Sequence, residues 1–372
     1  MNDLLDHLDT SVAARDLPPV GEGLPADCST RDVLDLYRRS ADPRVAPAIF
    51  RHAADLRDRH IGRSPWWSAG VSAIVPCELE PLCTYCTFFS RKAVATSDIV
   101  SAVRAIADLG IRHLHLSGGT RLPVKGEPIS GYDRYLVDLV VAIRDAADVE
   151  IEVNVGPSLT RGGVRALKEL GVAAVTSSLE VLNAELFAAF KPGDSLEGRI
   201  RLMELCEEEG LPIRSMMLVG LGETDADRID HLLFLRRFSM LRHLRLSRYM
   251  PFPGTASGGV RCSPWPVARL TAIARLLYPT LDLGLAAGND PDDMALWWLA
   301  GGGNQVIGAT ASMKDPRGKA GGEARAIPVG ERVVVHDNMA RVTRYLGELG
   351  LTPSFAPRSE EHTSELQSPC NL

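Results

Sequence analysis

Apolar residues over 29–60 recur every three to four positions, which predicts two helices, 29–40 and 45–60. Ser29 and Thr30 serve as an N-terminal cap ahead of Val33, Leu34 and Leu36. From residue 71 the period changes. Short apolar runs at 71–75, 113–116, 150–155, 173–179, 213–219, 243–249, 281–286 and 305–307 read as strands. Between them, 97–109, 133–146, 161–170, 196–209, 226–238 and 264–277 carry helical spacing. Strands that are nearly all followed by a helix imply a parallel sheet, most simply a closed (β/α)8 TIM-type barrel with an N-terminal helical extension. An open doubly wound sheet is the alternative. The organisation this predicts is an arm and helices over 1–65, the barrel over 66–312, and an extension packing on the barrel over 313–357.

A parallel barrel places its chemistry at the carboxyl ends of its strands. Polar and glycine-rich stretches fall there: Cys77, Ser117-Gly-Gly-Thr120, Asn154-Val-Gly156, Ser177-Ser-Leu-Glu180, Gly220-Leu-Gly-Glu223 and Pro251-Phe-Pro-Gly-Thr255.

Composition narrows the partners. The 372 residues are 45% hydrophobic and 24% charged, with a formal net charge of −6. Aromatics make up 6%, and no Lys/Arg block stands out, so nothing points to nucleic acid; a small molecule or a protein is the expected partner. No apolar run reaches the length of a membrane span, and Met1-Asn-Asp-Leu-Leu-Asp-His is not a secretory leader. A cytoplasmic protein with reduced thiols is expected. Residues 358–372 resemble a translated sequencing adapter and are set aside. The natural C-terminus is then expected to differ beyond Pro357, and Cys370 leaves the count of thiols.

Three of the seven cysteines fall within ten residues, Cys77-Glu-Leu-Glu-Pro-Leu-Cys83-Thr-Tyr-Cys86. A closed zinc site would need a fourth ligand nearby, and no second close pair is present. Three thiolates on a cubane iron–sulfur cluster leave one iron free for a substrate or cofactor. Buried inert cysteines are the remaining reading.

The Cys83-Thr-Tyr-Cys86 turn, with an aromatic before its last cysteine and a further cysteine upstream, resembles the cluster loop of radical S-adenosylmethionine (SAM) enzymes. The five residues between Cys77 and Cys83, where three are commonest, are similar to the biotin-synthase-like branch associated with maturation of the iron-guanylylpyridinol cofactor. His113-Leu-His-Leu-Ser-Gly-Gly-Thr120 resembles that family's glycine motif. The resemblance implies that Ser117, Gly118, Gly119 and Thr120 receive the SAM amino group, with Thr120 standing where an acid is familiar. Glu180, and Arg199 in Ser195-Leu-Glu-Gly-Arg199, are similar to the acid and arginine that grip the SAM amino and carboxylate groups. The resemblance further implies adenine contacts from Leu218 and Gly220, and adds Tyr85 and Ser178 to the cofactor site and Cys77, Cys83 and Cys86 as ligands of a [4Fe-4S] cluster. Each match also has a plain structural reading: a tight turn for Gly118-Gly119, a surface ion pair for Glu180 with Arg199.

The implied chemistry is reductive cleavage of SAM to a 5′-deoxyadenosyl radical, which abstracts hydrogen from a small-molecule substrate. A reductant such as flavodoxin or ferredoxin supplies the electron, and a barrel lined by Val, Leu and Met is expected to shield the radical. Candidate substrate contacts are Asn154, Arg214 and Tyr249. An arginine in an apolar strand calls for an anion, either a substrate group or an internal carboxylate. Sulfur insertion as in biotin synthase would require further cysteines; they align with Leu116, Glu152 and Arg214, so a partner protein would have to bring the sulfur. Cys28, Cys206 and Cys262 are scattered, Cys206 in a helix. A non-catalytic cluster-binding scaffold is the rival from another class.

Overall fold

The structure, a computed structural model, describes residues 18–19, 21–86, 94–122, 130–252, 254–285, 293–303, 305–313 and 324–355. Most of the predicted arm, Pro253, residues 289–292, Asn304 and the 358–372 tail with Cys370 lie outside them.

Two helices lead in, α1 (Thr30–Arg39) and α2 (Ala46–His60). The Ser29 hydroxyl accepts from Asp32 N while the Asp32 carboxylate accepts from Ser29 N, a reciprocal cap that fixes where α1 starts. The barrel follows as β1 (Trp66–Val71), α3 (Thr96–Asp108), β2 (His113–Ser117), α4 (Gly131–Ala146), β3 (Glu150–Asn154), α5 (Arg161–Glu169), β4 (Ala174–Thr176), α6 (Ala184–Phe190) and α7 (Leu196–Glu209). It continues with β5 (Ile213–Val219), α8 (Asp225–Leu235), β6 (Leu241–Arg248), α9 (Pro264–Leu277), β7 (Asp282–Leu285), α10 (Met294–Leu299) and β8 (Gln305–Met313). A hairpin, β9 (Arg325–Val329) and β10 (Val333–Asp337), and helix α11 (Met339–Glu348) complete the described chain.

Strands β1 to β7 pair in sequence order and in parallel, and β8 pairs in parallel with β1. The seam between β7 and β8 is closed by an antiparallel bridge, in which Leu283 and Gly303 exchange hydrogen bonds of 2.8 and 3.0 Å. Beyond the bridge β8 pairs antiparallel with β10, from Ala309 opposite Asp337 to Met313 opposite Val333. The extension predicted over 313–357 therefore joins the sheet itself rather than only packing on it.

The strand edges shift where local backbone overrides hydrophobicity. The first strand is 66–71 rather than 71–75: Ala73 takes a positive φ of 61°, and 72–76 turn across the end of β2, with Ile74 N donating to Ser117 O. The fourth stops at Thr176, well before 179. The eighth runs to Met313 rather than 307, because the hairpin gives its second half a partner that no local pattern announces.

The expectation of a lining of Val, Leu and Met is corrected. Residues that alternate outward, such as Leu114, Leu116, Ile151 and Val153, form the apolar layer against the helices. The inward rows carry His113, His115, Glu152, Thr176, Arg214, His243, Arg245 and Gln305, all buried.

Candidate active site at the barrel mouth

The cysteine loop leaves β1 over the glycines that end β2. Gly119 N donates to Val75 O and Glu78 N to Thr120 O, while the Tyr132 and Tyr135 hydroxyls donate to Gly119 O and Ile74 O. A β-carbon at Gly119 would lie 2.2 Å from Cys77 N, and one at Gly118 2.2 Å from Val75 Cγ2. The two glycines are needed so that loop and strand can touch. Across the mouth, a β-carbon at Gly193 would lie 2.1 Å from Pro81 O, and Thr84 N donates to Phe190 O. The loop is thus clamped between the end of β2 and the turn after α6.

Cys77 is buried and its thiol lies 3.9 Å from Thr120 O; Cys83 and Cys86 are half-buried. The three share one loop, yet among the described residues no three His, Cys, Asp or Glu side chains are drawn together into a preformed metal site. Burial pushes the Cys83 thiol up to about 12, against the pull of Lys191 and Arg199.

Glu180 stands opposite. It follows β4 in a positive φ of 63°, held there by a bridge to β5: its N–H donates to Met216 O and its carbonyl accepts from Leu218 N. Non-glycine residues rarely adopt that conformation, so the ladder on both sides fixes where the carboxylate points. The side chain is buried and bonded to Tyr85, but Oε2 has no partner among the described residues. Burial raises its pKa, with Lys191 and Arg199 opposing.

Arg199 reaches the same place from the first turn of α7, which Ser195 caps by accepting from Gly198 N. Its guanidinium donates to Asp194 through Nε and Nη2 at 2.8 and 2.6 Å, to Ser178 O at 3.0 Å, and lies 3.4 Å from Thr120 Oγ1. Lys191 Nζ lies 3.1 Å from the same fully buried Asp194 carboxylate. Burial works to raise the Asp194 carboxyl, and Arg199 and Lys191 outweigh it and hold it below the ordinary range. The Glu180–Arg199 pair expected from the sequence is therefore a four-member charge cluster. Lys191 and Asp194 were missed, although Lys191-Pro-Gly-Asp194 directly precedes the cap of α7.

The apolar wall is also in place. Leu218 packs with Val181, Phe187, Leu221 and Tyr249, and Tyr85 and Cys262 border the group. A β-carbon at Gly220 would lie 2.6 Å from Cys262 Cβ, and Gly220 N donates to Glu223. The Tyr249 hydroxyl donates to Ser257 O and Gly258 O, so it is engaged with the loop after β6.

Asn154 and Arg214 lie deeper. Asn154 Nδ2 is 3.4 Å from His115 Nε2. Arg214 pairs with Glu152, donates to Gln305 Oε1 and lies 2.6 Å from His243 Nδ1. The internal carboxylate, one of the two readings open for Arg214, lies against it. Buried Cys206 packs in α7 as helix core.

A (β/α) barrel with a cysteine loop over the end of its first strand can be compared with known proteins. Residues 77–235 match the Radical SAM superfamily. The superfamily uses a [4Fe-4S] cluster and SAM. An uncharacterized protein of Methanocaldococcus jannaschii is 24% identical over 297 residues, 77% of this chain and 74% of that one. Biotin synthase of Halorhodospira halophila is 24% identical over 70% of this chain and 81% of its own. The FeFe-hydrogenase maturase HydG of Carboxydothermus hydrogenoformans superposes with a TM-score of 0.73 at 19% identity, over 95% of this chain and 81% of that one, a likeness of fold. Among the described residues no helix is long and apolar enough to cross a membrane.

Proposed function

We propose that the chain is a radical SAM enzyme of the biotin-synthase-like group, acting on a small molecule in a biosynthetic pathway with an external one-electron donor such as flavodoxin or ferredoxin. The observation that carries this reading is Glu180 Oε2, a buried acceptor without a partner among the described residues, beside the cysteine loop. An ammonium group is the natural complement of such an oxygen. The cysteines offer three thiolates, the ligand number that leaves one iron of a cubane open.

Bound there, a [4Fe-4S] cluster and SAM would supply one-electron cleavage of the sulfonium and a radical able to abstract hydrogen. This chain's own residues bind and orient. Cys77, Cys83 and Cys86 would hold iron; Glu180 receives the amino group; Arg199 and Lys191 hold the positive field in which a carboxylate settles. Asp194 keeps both cations in place, and Leu218 with its apolar neighbours excludes water. Ser117 and Ser178 line the same mouth, with Gly118, Gly119, Thr120 and Gly220 shaping it. An internal sulfur donor is disfavoured, since two of the three positions that would carry its cysteines are the buried pair Glu152 and Arg214.

Anaerobic reconstitution with iron and sulfide tests the reading. A broad visible iron–sulfur absorption and dithionite-dependent cleavage of SAM are expected, and iron content should fall in each single Cys→Ala variant. A colourless zinc-loaded protein would sink the proposal. A stable cluster without SAM cleavage would favour the scaffold.

A further inference from the structure

Inside the barrel the charges do not balance. Arg214 and Arg245 are both buried; Glu152 lies against Arg214 and His113, and Asp282 and Glu150 act on Arg214 as well, not on Arg245. The nearest imidazoles, His115 and His243, are pushed well below their usual range, first by burial and then by the two arginines, and so are neutral. His113 is lowered by burial as well. Arg245 therefore has Arg214 and neutral rings about it. Its Nη2 donates to Gln305 Oε1 at 3.1 Å, an acceptor shared with Arg214, and its Nε has no hydrogen-bond partner among the described residues. Burial lowers Arg245 to about 10, with no carboxylate among the described residues opposing, so the charge persists at neutral pH. A buried guanidinium without an anion is unfavourable unless something else supplies one.

Register places this free edge on the path from the mouth. Arg245 pairs with Met216 on β5 and Gly284 on β7, one rung nearer the carboxyl end than His243 opposite Arg214. The next inward position on β5 is Leu218, at the cysteine loop. Thr176 Oγ1, buried on β4, also lacks a partner among the described residues.

We propose that Arg245 receives a carboxylate of the substrate, held by the free edge of its guanidinium, so that the rest of the substrate extends toward the barrel mouth. This rests on the reading of the barrel as a substrate chamber. A planar guanidinium fork matches a carboxylate, and one unpaired arginine matches one negative charge.

The test uses the full-length, anaerobically reconstituted protein without reductant, with formate as the smallest carboxylate probe. Thermal midpoints are compared in sodium formate, sodium phosphate and sodium chloride at equal ionic strength, for the native chain and Arg245→Met. Formate should raise the native midpoint above that in chloride, and the rise should vanish in Arg245→Met. In chloride alone the variant should melt higher than the native chain, because an unpaired buried charge has been removed. An equal formate response in both chains, or none in either, overturns the proposal. A rise that depends on Arg245 with phosphate but not formate overturns the carboxylate assignment. If Arg245→Met does not fold, Arg245→Gln makes the same comparison. Since no turnover is involved, a chain that fails to cleave SAM still answers the question, and SAM cleavage by the native chain tests the proposed function separately.

Discussion

The barrel mouth and the barrel interior both bury several charges, but they balance them differently. At the mouth two cations, Lys191 and Arg199, face two carboxylates, Asp194 and Glu180, and the oxygen left over is an acceptor. In the interior the carboxylates act on Arg214, Glu152 against it and Asp282 and Glu150 from farther off, and the group left over, Arg245 Nε, is a donor. One end is complementary to an ammonium and the other to an anion. The difference teaches that a buried charge gains meaning from what its neighbours have already neutralised. Arg199 and Arg214 look alike in sequence, and both are largely satisfied in the fold; Glu180 and Arg245 are the ones left wanting.

The largest effect should come from breaking the interior pair. Glu152→Leu leaves Arg214 buried without its carboxylate, a loss of about 3–5 kcal/mol in unfolding free energy by denaturant titration. A double variant that also replaces Arg214 with Met should recover most of that loss, and failure to do so would mean the pair is not an isolated unit. At the mouth, Glu180→Gln and Arg199→Ala should weaken SAM binding by about ten-fold or more, the loss of a charge-assisted contact worth roughly 1.5–3 kcal/mol, while iron content is unchanged. Unchanged affinity in both variants would return the cluster to a purely structural role.

Acid should separate the regions further. His113, His115, His231 and His243 are lowered by burial, His231 to about 3. Their neutral forms favour the folded state, so stability is full above the unfolded value near 6.5 and declines as pH falls from there toward the folded values. Each histidine contributes a slope of about 1.4 kcal/mol per pH unit within its window. His231→Leu should shallow the acid limb measured by chemical denaturation. The smallest effect is expected from deleting residues 358–372: thermal midpoint and SAM turnover should match those of the full chain.

The mouth was readable in the sequence because its parts are contiguous. Cys77 to Cys86 is one loop, and Glu180 to Arg199 spans one helix and one cap. Several helix boundaries and the whole of β5 were legible for the same reason, since capping and periodicity are local signals. The interior was not legible. His115, Glu152, Arg214, Arg245 and Gln305 come one from each of five strands, and only barrel closure brings them together. Periodicity could have shown that His113 and His115 share a face, and Arg214 was noticed, but not which partner each would meet. The start of β1 was misplaced because two tryptophans and a glycine mask the strand while the more aliphatic 71–75 imitates one.

The clamp on the cysteine loop ties its length to the residue at 193. The five residues between Cys77 and Cys83 include Glu80 and Pro81, and it is the Pro81 carbonyl that presses on Gly193, where any side chain would collide. Loop length and the residue at 193 are therefore coupled: a shorter loop would release 193 to accept a side chain, and a side chain at 193 would push the present loop off its seat.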